Sequence, residues 1–273
     1  MKSAAVPARS AFWAEFGWFA LKQVQASAFP LSIFALLAVW QFALQPLGVP
    51  IARYDFLLVG CLAMQAWLVY AGWETLDELK VISVFHLVGL CLEVYKVHHG
   101  SWFYPEPAWI KVGDVPLYSG FMHASVASYV TQAWRRFDLQ MESWPSLPMT
   151  LASCALIYSN FFLNRVIGDF RWWIAAFVGL IFLRTTVRFT CGQGRYSMPM
   201  LVAFVLIGFF IWVAENISTA LGAWQYPNQV SAWQMVSLSK FSSWTLLAIL
   251  SVTLIVWLKA FKAGRGVDLD KAG

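Results

Sequence analysis

Apolar residues run through this chain in long blocks, each closed by a short polar stretch or by Gly and Pro. A helix needs about 20 mainly apolar residues to cross a bilayer. Blocks of that size fall near 28–46, 54–73, 79–98, 116–134, 147–164, 171–189, 198–216 and 236–258. The pattern predicts an all-α, polytopic membrane protein of about eight transmembrane helices. Two blocks are weaker: Asn160 and Asn164 interrupt the fifth, and Arg184 and Arg188 stand near the end of the sixth. Ahead of the first block, "AFWAEFGWFALKQVQASA" reads as an interfacial amphipathic helix, without the pattern of a cleavable signal.

The blocks also repeat. Shifting the chain by 122 residues lays Glu93, Gly100, Trp102, Tyr104 and Pro105 on Glu215, Gly222, Trp224, Tyr226 and Pro227, five identities in thirteen positions. The same shift carries blocks one to four onto blocks five to eight. An even number of spans separates the copies, so the two units have parallel orientation about an axis along the membrane normal. The expected organisation is an N-terminal cytoplasmic or interfacial segment (1–27), a first four-helix repeat (28–144), a second (145–265) and a cytoplasmic tail (266–273).

Composition supports the membrane class. Hydrophobic residues make up 60% of the 273 and charged residues 12%, against about 25% charged in soluble domains; mean hydropathy is +0.62. The net charge of +5 comes from basic residues placed singly or in pairs between apolar blocks, which excludes a nucleic-acid surface. With the N-terminus inside, thirteen Lys and Arg fall on the inner side and six on the outer. That bias predicts a bacterial inner-membrane protein with both termini cytoplasmic. Cys61, Cys91, Cys154 and Cys191 form no CxxC pair and indicate neither a disulfide framework nor a zinc site.

Candidate chemistry concentrates in the first half. Glu93 and Glu215 lie near the ends of apolar spans, where a carboxylate is costly unless paired, wetted or protonated. That setting suits a general acid, and equally a structural bond from each glutamate to its own loop. His86 and Glu93 are seven apart and share a helix face; Ser119 and His123 share another. At the repeat offset His86 becomes Gly208 and His123 becomes Thr245, so a single site belongs to the first half, with Glu93, His86, His99 and His123 as its acid–base set. Trp102, Tyr104, Glu215, Trp224 and Tyr226 are the candidate substrate-binding residues. No HxxxH or HxxH pair, phosphate-binding Gly loop or dinucleotide fingerprint occurs, so no metal and no cofactor is implied. Lys240 is expected to snorkel to the outer interface, Arg165 to pair with Asp169, and Glu74, Asp77 and Glu78 to be solvated in a turn.

The stretch "LEVYKVHHGSWFYPEPAWIKVGDVPLYSGFMH" resembles two membrane families, the small lycopene cyclase domains and the membrane carotenoid hydratases. Glu93, Gly100, Trp102, Tyr104, Gly113, Val115, Pro116 and Leu117 occupy the matching places, and Glu215, Gly222, Trp224 and Tyr226 match in the second copy. The resemblance implies acid–base chemistry on an isoprenoid- or carotenoid-like substrate. It departs at the paired glutamates of the cyclases, where this chain has Leu117, Tyr118 and Ser119. Over its whole length the chain also resembles a family of uncharacterised bacterial integral membrane proteins. Three functions follow: an enzyme acting on a lipophilic substrate, a proton-coupled transporter or permease, or a non-catalytic membrane scaffold. The partners implied are the lipid bilayer, a lipophilic small molecule and a second copy of the chain.

Overall fold

The computed structural model describes residues 9–164, 166–262 and 264. Arg165 and the 266–273 tail therefore lie outside the described residues, as do Lys2, Arg265 and Lys271 of the charge count. Nine α-helices among the described residues carry the chain. They are α1 (Arg9–Ala26), α2 (Ala28–Val39), α3 (Arg53–Tyr70), α4 (Leu76–His98), α5 (Ser119–Arg136), α6 (Leu147–Leu163), α7 (Arg171–Ile181), α8 (Met200–Ala220) and α9 (Ser239–Lys262). The strands are short: β1 (Lys111–Val112) with β2 (Val115–Pro116), and β3 (Gln140–Glu142), β4 (Thr186–Cys191) and β5 (Gly194–Pro199) in one antiparallel sheet.

Eight full-length spans were expected; among the described residues α4, α8 and α9 alone are each long and apolar enough to cross a membrane. A fourth follows if α1 and α2, bent by 67° at their junction, count as one broken span. The physical reasons for the shortfall differ. α3 carries Arg53, Asp55 and Gln65, all buried, and α5 is rich in Ser, Thr, Gln and His. α6 and α7 have 17 and 11 residues, and at 1.5 Å per residue α7 reaches only about half of a ~30 Å hydrocarbon core.

The sixth block is the clearest departure from the pattern. Its helix stops at Phe182, and Thr186–Cys191 becomes β4, hairpinned to β5 through a two-residue turn at Gly192 and Gln193. Gly192 has φ +54, the left-handed region that a tight hairpin demands. The β-branched run of β4 suits a strand better than a helix. The segment 11–28 is helical up to Ala26, as expected, and docks by its inner face. Lys22 Nζ donates to the Thr190 carbonyl at 2.9 Å, and Arg136 Nη1 donates to Gln25 at 2.9 Å. Phe12, Trp13, Phe16 and Trp18 point outward.

Close helix packing is made by glycine. A Cβ on Gly208 would meet backbone atoms of Thr245 at 2.7 and 2.8 Å, and one on Gly120 would meet the His86 carbonyl at 2.7 Å. These contacts bring α8 against α9 and α4 against α5.

At the end of α4, Gly100 (φ +64) terminates the helix, with Ser101 N donating to Lys96 O at 2.9 Å and Gly100 N to Val97 O at 2.9 Å. At the end of α8, Gly222 (φ +74) does the same through Ala223 N to Ser218 O at 2.9 Å and Gly222 N to Thr219 O at 3.1 Å. Both are Schellman stops, which only a left-handed residue completes without cost. The two following loops then meet. Phe103 and Gln225 exchange both backbone hydrogen bonds at 3.0 Å. Tyr118 OH donates to Ala223 O at 2.6 Å, and Arg53 donates to Gly222 O at 3.0 Å while pairing with Glu106 at 2.8 Å.

The acidic turn is not simply solvated. Asp77 pairs with Lys80 at the surface, but Glu74 and Glu78 are buried. Glu78 completes a capping box with Thr75 and faces Arg135 at 3.6 Å and Lys259 at 3.8 Å. Glu74 accepts from Gln65 and Ser128. Asp169 pairs with Arg171 at 2.6 Å; the pairing expected with Arg165 falls on a residue outside those described.

Candidate functional site

Each glutamate is held by the loop that follows its helix. Glu93, buried near the end of α4, accepts from Trp102 Nε1 at 2.7 Å and Tyr104 OH at 2.8 Å on one oxygen, Oε2. Its other oxygen lies 2.9 Å from His123 Nε2 on α5. Glu215, buried near the end of α8, accepts from Tyr226 OH on Oε1 and from Trp244 Nε1 at 2.6 Å on Oε2. Burial, reinforced by the adjacent carboxylate, pushes the Tyr104 and Tyr226 phenols well above their usual range. Both therefore stay neutral donors at physiological pH.

The two carboxylates differ in what they can do. Glu215 accepts one phenol and one indole donor, one on each oxygen, and the Lys240 ammonium acts on it electrostatically. Glu93 shares one contact with an imidazole, and a proton can rest on either side of it.

The structure brings together only part of the expected acid–base set. His86 does not bond to Glu93: its ring packs 4.3 Å from that of Phe121, against Gly120. Seven residues of helix rise by about 10 Å, too far for the shared face to become a contact. His99 is exposed and turns back onto its own helix, 2.8 Å from the Tyr95 carbonyl and against the Tyr95 ring. Trp224 is buried.

One residue that sequence reasoning passed over, Trp244, and one that it singled out for another role, Lys240, complete the arrangement. Trp244 stands one position before Thr245, the residue that the repeat offset aligns with His123, and takes over as the third contact on its glutamate. Lys240 was expected to snorkel to the outer interface. Its Nζ lies 5.3 Å from the Trp102 ring and 4.7 Å from the Tyr226 ring, bridging the two loops by cation–π contacts.

Both glutamates open onto one cavity of about 1250 Å³. Apolar side chains of α1, α2, α5 and α8 form most of its wall, including Phe19, Phe34, Met122 and Phe210. Its polar positions include Glu93, His123, Glu215, Lys96, Asn160 and Lys240. Drug-sized ligand pockets measure about 300–1,000 Å³, so this volume suits a long or bulky apolar molecule.

Comparison with known proteins places the chain without assigning an activity. It is 50% identical over 247 residues to the uncharacterized protein YoaT of Bacillus subtilis (strain 168), covering 90% of this chain and 91% of that one. Among solved structures, a mycobacterial Insig homolog, MvINS from Mycobacterium vanbaalenii, aligns with a TM-score of 0.49 at 11% identity, over 73% of this chain and 98% of that one. A cross-linked trimer of MvINS aligns with a TM-score of 0.47 at 12% identity, over 66% and 93%. Residues 15–252 match the family described as protein of unknown function (DUF817), and the chain belongs to that family.

Proposed function

We propose that this membrane protein is an enzyme acting by acid–base chemistry on a lipophilic, isoprenoid-like substrate, with Glu93 and His123 as the proton-carrying pair. The observation that carries the proposal is the 2.9 Å Glu93–His123 contact at the wall of a large, mainly apolar cavity. Proton transfer needs a donor within hydrogen-bond reach of its partner and of the substrate. The cavity gives an apolar chain access to that point. Trp102, Trp224 and Tyr226 also line it, and their ring faces can steady positive charge that develops when a double bond is protonated. Tyr104 and Trp102 hold Glu93 in place, and His123 takes up or returns the proton. Glu215 is the fixed counterpart, tying its own loop down.

The wider architecture is part of the same proposal: eight membrane passes in two parallel repeats, 28–144 and 145–265, with both termini cytoplasmic in a bacterial inner membrane. Four features support it. Leu76–His98 shifted by 122 falls at 198–220, against α8 at Met200–Ala220, and Ser119–Arg136 falls at 241–258, inside α9. The two Schellman stops lie at the same offset, and so do Phe103 and Gln225, which pair with one another. Short helices such as α7 would cross only with the help of their neighbours.

Lipid extracts from cells lacking the gene, complemented with the wild type or with Glu93→Gln, test the reading. A hydrophobic metabolite that accumulates in both the deletion and the Glu93→Gln strain is the expected result. Identical lipid profiles in all three strains would remove the enzyme reading and favour transport.

A further inference from the structure

The two ends of this cavity are built differently. Its charged lining residues, Glu93, Lys96, Arg171, Glu215 and Lys240, gather where the two loops meet: Arg171 Nη1 donates to the Ser239 carbonyl at 2.8 Å, and the next residue, Lys240, covers Trp102, which donates to Glu93. From His123, near the start of α5, the helix turns one face into the cavity through Val126, Val130, Ala133 and finally Phe137. Spacings of three and four keep those side chains in a row. His123 and Phe137 are 14 residues apart, about 21 Å along a helix axis. The wall from α8 is apolar over the same stretch, with Ala203, Ile207, Phe210 and Ile211.

At the far end three rings from three elements meet. Phe19 of α1 has its ring centre 5.6 Å from that of Phe137 and 6.4 Å from that of Phe189 on β4, and the last two are 6.3 Å apart. All three line the cavity. Polar ties behind them hold the cluster in place. Thr190 N donates to the Phe137 carbonyl at 2.7 Å, and Lys22 Nζ donates to the Thr190 carbonyl while lying 5.5 Å from the Phe137 ring. Tyr129 OH donates to Gln23 at 3.1 Å and ties α1 to α5. At the 122-residue offset Phe137 becomes Lys259. The cluster thus belongs to the first half, as the Glu93–His123 pair does.

The side wall is where a molecule can come in. Leu31 of α2 and Phe210 of α8 line the cavity, yet they are 43% and 66% exposed. The rings fill one end, and the loops at the other are tied by the Phe103–Gln225 pairing and by the Tyr118 and Arg53 bonds to Ala223 and Gly222.

We infer that the Phe19–Phe137–Phe189 cluster is the stop against which the tail of the substrate rests, so that the cavity selects a lipophile reaching about 21 Å from its reacting group to its far end. This rests on the cavity being the substrate site proposed above and adds the residues that set substrate length. A longer chain cannot bring its reacting end to His123 without displacing the rings. A shorter one slides past the pair.

Full-length protein in nanodiscs of zwitterionic lipid tests the inference, photolabelled with straight-chain alcohols of increasing length that each carry a terminal diazirine. Peptide mass spectrometry should find the label moving along α5 towards Phe137 as the chain lengthens, by about one residue per 1.5 Å, and ending at the cluster. Alcohols longer than the cavity should need about tenfold more probe for half-saturation, within the range that overpacking a fixed site costs. Phe19→Ala should move the length limit up. Ala133→Phe, one turn before the stop, should move it down by about 6 Å. Saturable labelling of either variant by a short alcohol shows that it is folded. A label position that ignores chain length, or a limit that neither folded variant moves, would overturn the stop; the Glu93 reading would stand if Glu93→Gln still changes the lipid profile. Labelling that never saturates and spreads over all outward-facing helices would overturn the cavity as a ligand site altogether.

Discussion

At Glu93 and Glu215, one residue type in one repeated phrase is given two jobs by its third neighbour. In the proposed reading His123 makes the first carboxylate a partner in proton exchange, whereas the second is held by donors from Trp244 and Tyr226. Glu93→Gln should therefore abolish turnover with little loss of stability, because an amide still accepts from Trp102 and Tyr104. Glu215→Gln should behave the other way round. An amide offers one acceptor where two donors need one each, and an unsatisfied buried donor costs about 1–3 kcal/mol. Thermal unfolding in detergent, beside lipid profiles of complemented cells, separates the two outcomes; equal loss of activity in both variants would point to a symmetric carrier. His123→Thr, the residue that the second half has at its aligned position, should remove activity and leave the fold intact. The glutamates and the Trp and Tyr of each phrase stood out in the sequence because unusual residues repeat at one spacing, and His123 because its aligned position, Thr245, breaks the repeat. His86 and His99 stand apart from Glu93: a shared helix face sets no axial distance for His86, and His99, at the helix end, lies against Tyr95.

Helix ends and helix lengths mark the limits of the hydrophobic pattern. The boundaries of α4, α8 and α9 follow from it closely, since each is a long apolar run with a glycine or polar stop. The sixth block reads as apolar too, but composition alone does not separate a short helix followed by a hairpin from one long helix. The clue was local: a β-branched run, Thr185–Val187, ahead of Gly192 and Gly194. The polar positions of α3 and α5 are buried for a different reason, because Arg53, Asp55, Gln65, Ser125, Ser128 and Thr131 find partners inside the protein. A cysteine at Ser197, exposed on β5, should react with a membrane-impermeant maleimide only in inside-out vesicles. One at Trp109, 78% exposed in the loop after α4, should react only from the opposite side. Labelling of both from the same side would refute the proposed topology. Helix contact is testable at Gly208, where a methyl meets Thr245 backbone. Gly208→Ala should lower stability by about 1–3 kcal/mol, the usual cost of overpacking, measured by unfolding in detergent.

Over the whole molecule, the two phrases meet face to face, which no spacing argument foresaw. Phe103 and Gln225 form a hydrogen-bonded antiparallel pair, with Cα atoms expected at about 5.5 Å, within the range a disulfide spans. Phe103→Cys with Gln225→Cys should cross-link on oxidation within one chain. If substrate enters sideways, the locked protein should keep its activity; a lock that stops turnover would indicate that the loops must part. The central claim remains that one acid–base pair, in the first half only, acts on a lipophilic molecule held between the halves. Mass spectrometry of lipid extracts from a deletion strain, complemented in parallel with wild type, Glu93→Gln and Glu215→Gln at matched membrane levels, tests it most directly. The account predicts a hydrophobic metabolite that accumulates with the deletion and with Glu93→Gln but is cleared by the wild type and by Glu215→Gln. Profiles that do not differ among the four strains would contradict it.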